Sequence, residues 1–470
     1  MLNKAPTRVA LVWPGGLDPR RVLPLAYACL AANTPKELCE FRLFDLALGA
    51  PAPERLAEEL AAFAPEVVGL SCFAMNFPQA LAAARAAKQA VPGAVVIAGG
   101  QHPSSWPEGV LGNTEIDFVL KGEGERAFTA FLEQFRSGAP DWGKVPGLVR
   151  RGPDGLLDAP PAMVEDLDSL ALPDYKFINF GEYLRRGYRV YADSRPSAPI
   201  QTTRGCPYGC AFCCGPAISG PRLRRFSAPY AVRWIEALNR DYGVLWFNII
   251  DDNFTFHPEA AKEFCREALK LRLPGLRFGT PNGIRAQHGD AQLWRLMAAA
   301  GWDHFTVAPE SGSERVLALM KKDLRPAQIE VAVGEMRATG LPVCGFFILG
   351  YPGETRADLA LTLRMVKLFD LAELFVFQPL PGSPVFRELL AAGRIKAGFI
   401  PAVNDFSSGE RSYVSEELRG VNLSRVIFRA RLGTALRHPL TALAHLRHLD
   451  LPVAAVKVLK QAAAFLAGGK

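Results

Sequence analysis

The sequence predicts an α/β protein: an N-terminal Rossmann-like (flavodoxin-like) unit, then a partial (β/α)6 barrel and a helical C-terminal segment. Three observations carry this reading. Short apolar runs alternate with Ala-rich helical stretches over residues 8–145. A second alternation of six units begins at Ile200, after a stretch rich in Pro, Gly and Asp. From Arg419 onward Leu, Ala, Val and Phe recur at helical spacing between basic residues. The expected divisions are 1–145 for the first unit, 146–197 for a connector, 198–405 for the barrel and 406–470 for the basic helical segment.

In the first unit RVALVW, CEFRLFD, EVVGLSC, AVVIAGG and FVLKG read as buried strands, with helices such as FPQALAAARAAKQAV between them. That order predicts an open parallel sheet covered on both faces, with ligands beyond the carboxyl ends of its strands. Three strand ends are conspicuous: Ser71-Cys72, the run from Gly99 and Gly100 through Gln101 and His102 to Ser104, and Gly122-Glu123-Gly124-Glu125. Paired glycines let backbone approach a ligand closely. RGPDGLLDAPPAMVEDLDSLALPDY follows as a surface connector.

The barrel strands are APIQTT, LWFNIID, LRFGT, HFTVAPE, VCGFFILG and LFVFQPL. A barrel places its chemistry at the C-terminal strand ends. There the chain carries a cysteine loop, Ile250-Asp251-Asp252-Asn253, Thr280 to Arg285, Ala308 to Ser313 with Glu310 and Ser311, Gly350 to Thr355, and Gln378 to Ser383.

Composition bounds the function. The 470 residues have room for two or three domains, and 49% hydrophobic with 21% charged residues is ordinary for a globular protein. A nucleic-acid groove would interleave basic and aromatic residues on one element. Arg222, Arg224 and Arg225 come nearest, and a solvated or phosphate-facing loop explains them equally well. No nucleic-acid partner is expected. No apolar run reaches the roughly 20 residues that span a bilayer, and the start lacks a secretory pattern. Nine cysteines, three of them clustered, do not form a disulfide framework, so a reducing cytoplasm is the expected setting.

The clustered cysteines are the sharpest signal. Cys206, Cys210 and Cys213 in RGCPYGCAFCCGP place three thiolates within eight residues. Such a loop suits an iron–sulfur cluster in which each thiolate takes a different iron, leaving one iron of a 4Fe–4S cluster open. A closed zinc site would need a fourth ligand, and Cys214 is available. Adjacent cysteines rarely ligate one metal together, and no second C-x2-C pair follows. Cys29, Cys39, Cys265 and Cys344 read as small buried hydrophobes, and Cys72 as packing. The Asp251-Asp252 pair could equally cap a helix, and Pro-Gly marks turns in general.

The cysteine loop, with Phe212 before its last cysteine, resembles the radical S-adenosylmethionine (SAM) superfamily. GGQHPS and DFVLKGEGERAF resemble the cobalamin-binding domain that precedes many of its barrels. Together the likeness spans roughly residues 8–400. It implies a 4Fe–4S cluster on Cys206, Cys210 and Cys213, SAM on the open iron, and cobalamin beyond the first sheet. It implies SAM contacts from Phe212 to the adenine, from Asp251 or Asp252 to the amino group, and from Arg285 to the carboxylate. Glu310, Ser311, Gly350 and Gln378 complete that set. Cobalamin contacts are implied for Ser71, Cys72, Gly99, Gly100, Gln101, His102, Gly122, Glu123, Gly124 and Glu125. One branch ligates cobalt through Asp-x-His-x-x-Gly; here Asp45-Leu46-Ala47-Leu48-Gly49-Ala50 has no histidine. His102 then reads as a loop residue bonded to backbone or to the cofactor's polar tail.

The activity implied is methylation of an unactivated carbon of a small molecule, through a 5′-deoxyadenosyl radical and methylcobalamin. The alternative is cyclisation, ring contraction or oxidation without methyl transfer, as in relatives resembling the anaerobic magnesium-protoporphyrin cyclase. Either needs an external one-electron reductant of flavodoxin or ferredoxin type. The C-terminal segment, whose many basic residues from Arg419 onward face only Asp450, reads as a helix packed on the barrel or as one lying on anionic lipid.

Overall fold

The computed structural model describes residues 5–189, 196–402, 406, 413–441 and 443. The first unit is a seven-stranded sheet. Its strands are β1 (Thr7–Trp13), β2 (Cys39–Asp45), β3 (Val67–Ser71), β4 (Val95–Gly99), β5 (Phe118–Leu120), β6 (Leu148–Gly152) and β7 (Gly155–Asp158), in the order β2-β1-β3-β4-β5-β6-β7. The first five run parallel, so β1 pairs with β2 on one side and β3 on the other. Val9 to Trp13 are wholly buried because helices cover both faces. The helix Phe77–Ala90 shows why: Phe77, Ala80, Ala83, Ala84 and Ala87 form one buried stripe.

The sheet outruns its expected boundary at 145. β6 and β7 form an antiparallel hairpin on the β5 edge, inside the stretch read as a connector. A Pro- and Gly-rich composition hid it, and β7 is exposed along its length, as an edge strand can be.

The second unit holds six parallel strands in two groups. β8 (Ser197–Ile200), β11 (Trp246–Ile249) and β12 (Arg277–Gly279) pair in the order β12-β11-β8. β13 (Phe305–Glu310), β14 (Val343–Leu349) and β15 (Leu371–Val376) pair in sequence. Parallel bridges from Phe278 to Trp302 and from Ile284 to Val307 join the groups into the partial barrel. A two-residue ladder of β9 (Thr203–Arg204) with β10 (Arg224–Arg225) closes the base of the cysteine loop.

The helix Leu423–Arg437 lays Leu423, Ile427 and Thr434 inward, and Arg431 reaches Glu373 of β15 at 2.5 Å. This part of the basic segment therefore packs on the barrel. Residues 444–470 lie outside the described residues. Among the described residues, no helix is long and apolar enough to cross a membrane.

Candidate active site at the facing strand ends

The cysteine loop sits between the two units. Gly205 enters it from β9, and the short helix Pro216–Ser219 leaves it against the helix Gln101–Ser105 of the first unit. Ser105 Oγ donates to the Pro381 carbonyl at 3.0 Å, and the Cys214 thiol donates to the same carbonyl at 3.6 Å. Cys214 is thus buried against Pro381, whereas Cys206 is partly exposed and Cys213 exposed. Among the described residues no three His, Cys, Asp or Glu side chains converge on a single ion. Three thiolates spread along one loop fit a polynuclear cluster, with one iron for each, and not a mononuclear zinc site.

Around the loop the barrel ends divide into braces and open groups. Asp251 is a brace. Its carboxylate accepts from the Thr202 backbone N–H at 2.7 Å and from the Thr202 hydroxyl, tying β11 to β8. Burial pushes its carboxyl up to about 6. Both oxygens of Asp251 thus accept from Thr202 inside the fold. Asp252 is exposed and faces the loop instead. Its Oδ1 and the Cys213 sulfur each lie 3.4 Å from where a Cβ on Gly215 would stand, and it accepts from the Gly205 N–H. Asn253 beside it is 1% exposed, and neither atom of its amide has a partner.

Ser311 is likewise tied into the fold. Its hydroxyl lies 3.0 Å from Thr362 Oγ1 and accepts from Ser313 N–H, so it fixes the end of β13 to the helix Arg356–Val366. Glu310 stands on a register shift between β13 and β14, with φ at 66°. A bulge re-aims a side chain, and Glu310 meets Lys322 Nζ at 2.7 Å in a buried ion pair. That ammonium lies 5.8 Å from the centre of the Phe212 ring. Lys322 escaped the sequence reading because Lys-Lys-Asp reads as a solvated turn; the left-handed Lys321 and Asp323 that aim it are visible only in the fold.

Arg285 is buried. It donates to the Lys322 and Asp323 carbonyls and toward Cys210 Sγ. Gly350 N–H donates to buried Glu354, whose carboxyl burial pushes up to about 7. Gln378 is buried at the end of β15.

In the first unit Ser71, Cys72, Gly99, Gly100, His102 and Gly122 come together at one edge of the sheet. Ser71 pairs with Gly99, His102 N–H donates to the Cys72 carbonyl, and Gly122 N–H donates to Ser104. Gly100 has φ at 91°, and a Cβ there would stand 2.7 Å from Ser71 Oγ, so the turn accepts only glycine. His102 is 2% exposed, and burial holds its imidazole down to about 4, so it stays neutral. Its Nδ1 is buried without a partner, beside Gln101 and the glycine pair. Glu123 and Glu125 are engaged in buried ion pairs. Glu123 takes both ends of Arg224 at 2.7 and 2.8 Å, and Glu125 takes Arg204 at 2.8 Å. Buried carboxylates need counter-charges, and these come from the ladder beneath the cysteine loop. Gly124 only starts the helix Gly124–Arg136.

The donor sets fit the implied cofactors: three thiolates for the cluster, orphaned Asn253 and Thr280 with open Asp252 for SAM, and the glycine edge with His102 Nδ1 for cobalamin. Comparison with known proteins gives the same result. Residues 200–366 match the radical SAM superfamily and residues 21–132 the B12 binding domain. An uncharacterised methyltransferase of Pyrococcus horikoshii is 26% identical over 340 residues, 72% of each chain. The cytidylyl-2-hydroxyethylphosphonate methyltransferase of Streptomyces wedmorensis is 29% identical over 365 residues, 70% of this chain and 68% of that one. The radical SAM methyltransferase TsrM of Kitasatospora setae, solved with tryptophan and a SAM analogue, superposes with a TM-score of 0.69 at 22% identity. That match covers 82% of this chain and 76% of TsrM. The chain carries a B12 binding domain followed by a radical SAM domain, the domain order of the cobalamin-binding radical SAM enzymes. It is an enzyme whose cofactors are a 4Fe–4S cluster, SAM and cobalamin, and methyl transfer is the activity that its relatives support.

Proposed function

We propose that this chain methylates an unactivated carbon of a small-molecule substrate. The carrying observation is the meeting of the two strand-end faces, where the glycine edge of the first sheet and the cysteine loop share the Ser105–Pro381–Cys214 contact. When bound, the cofactors supply one-electron cleavage of SAM and a transferable methyl group. The chain's own residues then orient and shield. Cys206, Cys210 and Cys213 hold the cluster; Asp252 and Asn253 receive the amino end of SAM; Lys322 offers its carboxylate a cation; Phe212 flanks the adenine. Ser71, Cys72, Gly99, Gly100, Gln101, His102 and Gly122 form the cobalamin edge. The ion pairs of Glu123 and Glu125 hold the two faces together and keep water from the gap.

An external flavodoxin- or ferredoxin-type reductant serves the cluster, and the cysteine loop's exposed Pro207, Gly209 and Cys213 support its approach there. Peripheral contact with anionic lipid is supported by Leu436 and Leu440, 73% and 80% exposed beside Arg437. Failure to sediment with anionic vesicles would remove it.

The test of the function uses anaerobically reconstituted protein, cobalamin, a strong reductant, SAM labelled on its methyl group, and an extract of the source organism. The expected result is 5′-deoxyadenosine together with a product carrying the label. Deoxyadenosine with an unlabelled new product would transfer the assignment to cyclisation or rearrangement.

A further inference from the structure

The guanidinium of Arg285 is held at both terminal nitrogens and over one face, while its buried Nε has no hydrogen-bond partner. Its Nη2 donates to the Lys322 carbonyl and, at 3.0 Å, to the Asp323 carbonyl, and Gln287 Nε2 donates to the second of these at 3.0 Å. Its plane lies over the Tyr208 ring, 3.4 Å from the centroid, and the Tyr208 hydroxyl is hydrogen-bonded to His288 Nε2. Its Nη1 points at Cys210 Sγ, 3.6 Å away. Glu310, Lys321 and Asp323, all at positive φ, frame this clamp, and such strain gathers where surrounding structure fixes a functional geometry.

The hydrogen bonds of Arg285 go to two carbonyls and a sulfur, none to a carboxylate. A buried cation without a counter-ion is costly. A cluster held by three thiolates supplies the missing negative charge at the atom that Arg285 faces. Hydrogen bonds to cluster sulfurs and nearby fixed charge are among the terms that set a cluster's reduction potential.

We propose that Arg285 is a positioning residue of the iron–sulfur cluster: clamped by Tyr208 and the Lys322–Asp323 carbonyls, it donates to the Cys210 sulfur and raises the potential at which the cluster accepts its electron. This rests on the reading that Cys206, Cys210 and Cys213 hold a 4Fe–4S cluster. It differs from a SAM-carboxylate role, which would act only when SAM is bound.

The test is a redox titration followed by electron paramagnetic resonance, on anaerobically reconstituted full-length protein without SAM. Wild type, Arg285→Gln and Tyr208→Leu are compared at matched iron and sulfide content. Absence of a reduced 4Fe–4S signal from wild type would overturn the cluster reading itself. With that signal present, Arg285→Gln is expected to shift the midpoint to a more negative value, and Tyr208→Leu to shift it the same way by less. Gln keeps a donor for the carbonyls while removing the charge. An unchanged midpoint in Arg285→Gln overturns the proposal, including where SAM affinity falls. If Arg285→Gln does not retain iron, Tyr208→Leu decides alone: a negative shift supports the proposal and an unchanged midpoint overturns it.

Discussion

At the scale of residues, the two neighbouring aspartates after β11 do opposite work. Asp251 is a brace and Asp252 an open acceptor beside the cysteine loop. Asp252→Ala is expected to weaken SAM binding about tenfold, the loss of about 1.4 kcal/mol, with iron content unchanged. Equilibrium binding to reconstituted protein measures it, and unchanged affinity would return the role to another group. Nothing in Ile250-Asp251-Asp252-Asn253 tells the two apart, because the partner of Asp251 is Thr202, 49 residues away in the bend between β8 and β9. Buried Glu354 carries a pH signature. Its carboxyl stands at about 7 in the fold against 4.5 as the ordinary value. A raised carboxyl binds protons more tightly folded than unfolded, so its contribution is full below pH 4.5 and is lost as pH rises through 7. The loss is on the order of 3 kcal/mol. Glu354→Gln should flatten the decline in urea midpoint between pH 5 and 8, and an undiminished slope would show that Glu354 does not cause it.

At the scale of elements, the first-sheet helix Gly124–Arg136 and the ladder β9–β10 are joined by buried ion pairs. Removing one partner leaves an uncompensated charge in the interior. Glu123→Ala should therefore destabilise the chain by about 3–5 kcal/mol, whereas replacing Glu123 and Arg224 together by Met should recover most of that. Urea unfolding of the single and double variants checks this, and equal losses in both would refute the pairing. These pairs were illegible in sequence, since Glu123 and Arg224 stand 101 residues apart and the Gly-Glu-Gly-Glu run looks like ligand-binding turn chemistry. The strands and the cysteine loop were legible because apolar runs and C-x3-C-x2-C spacing are local. The β6–β7 hairpin was not, because an exposed edge strand lacks a buried apolar run.

At the scale of the whole molecule, two α/β units present their strand ends to one another. Gly382 lets them close: a Cβ there would stand 2.0 Å from the Ser105 carbonyl oxygen. The general order of the units follows from the two alternations along the chain, while their docking depends on long-range pairs that no local pattern encodes. Radical methylation uses SAM twice, once to abstract hydrogen and once to donate a methyl group. Abstraction leaves 5′-deoxyadenosine, and donation leaves S-adenosylhomocysteine. The most direct measurement is the yield of both, with methylated product, in a single anaerobic reaction. The account predicts all three in equal amounts. Deoxyadenosine formed with product but without S-adenosylhomocysteine would contradict it.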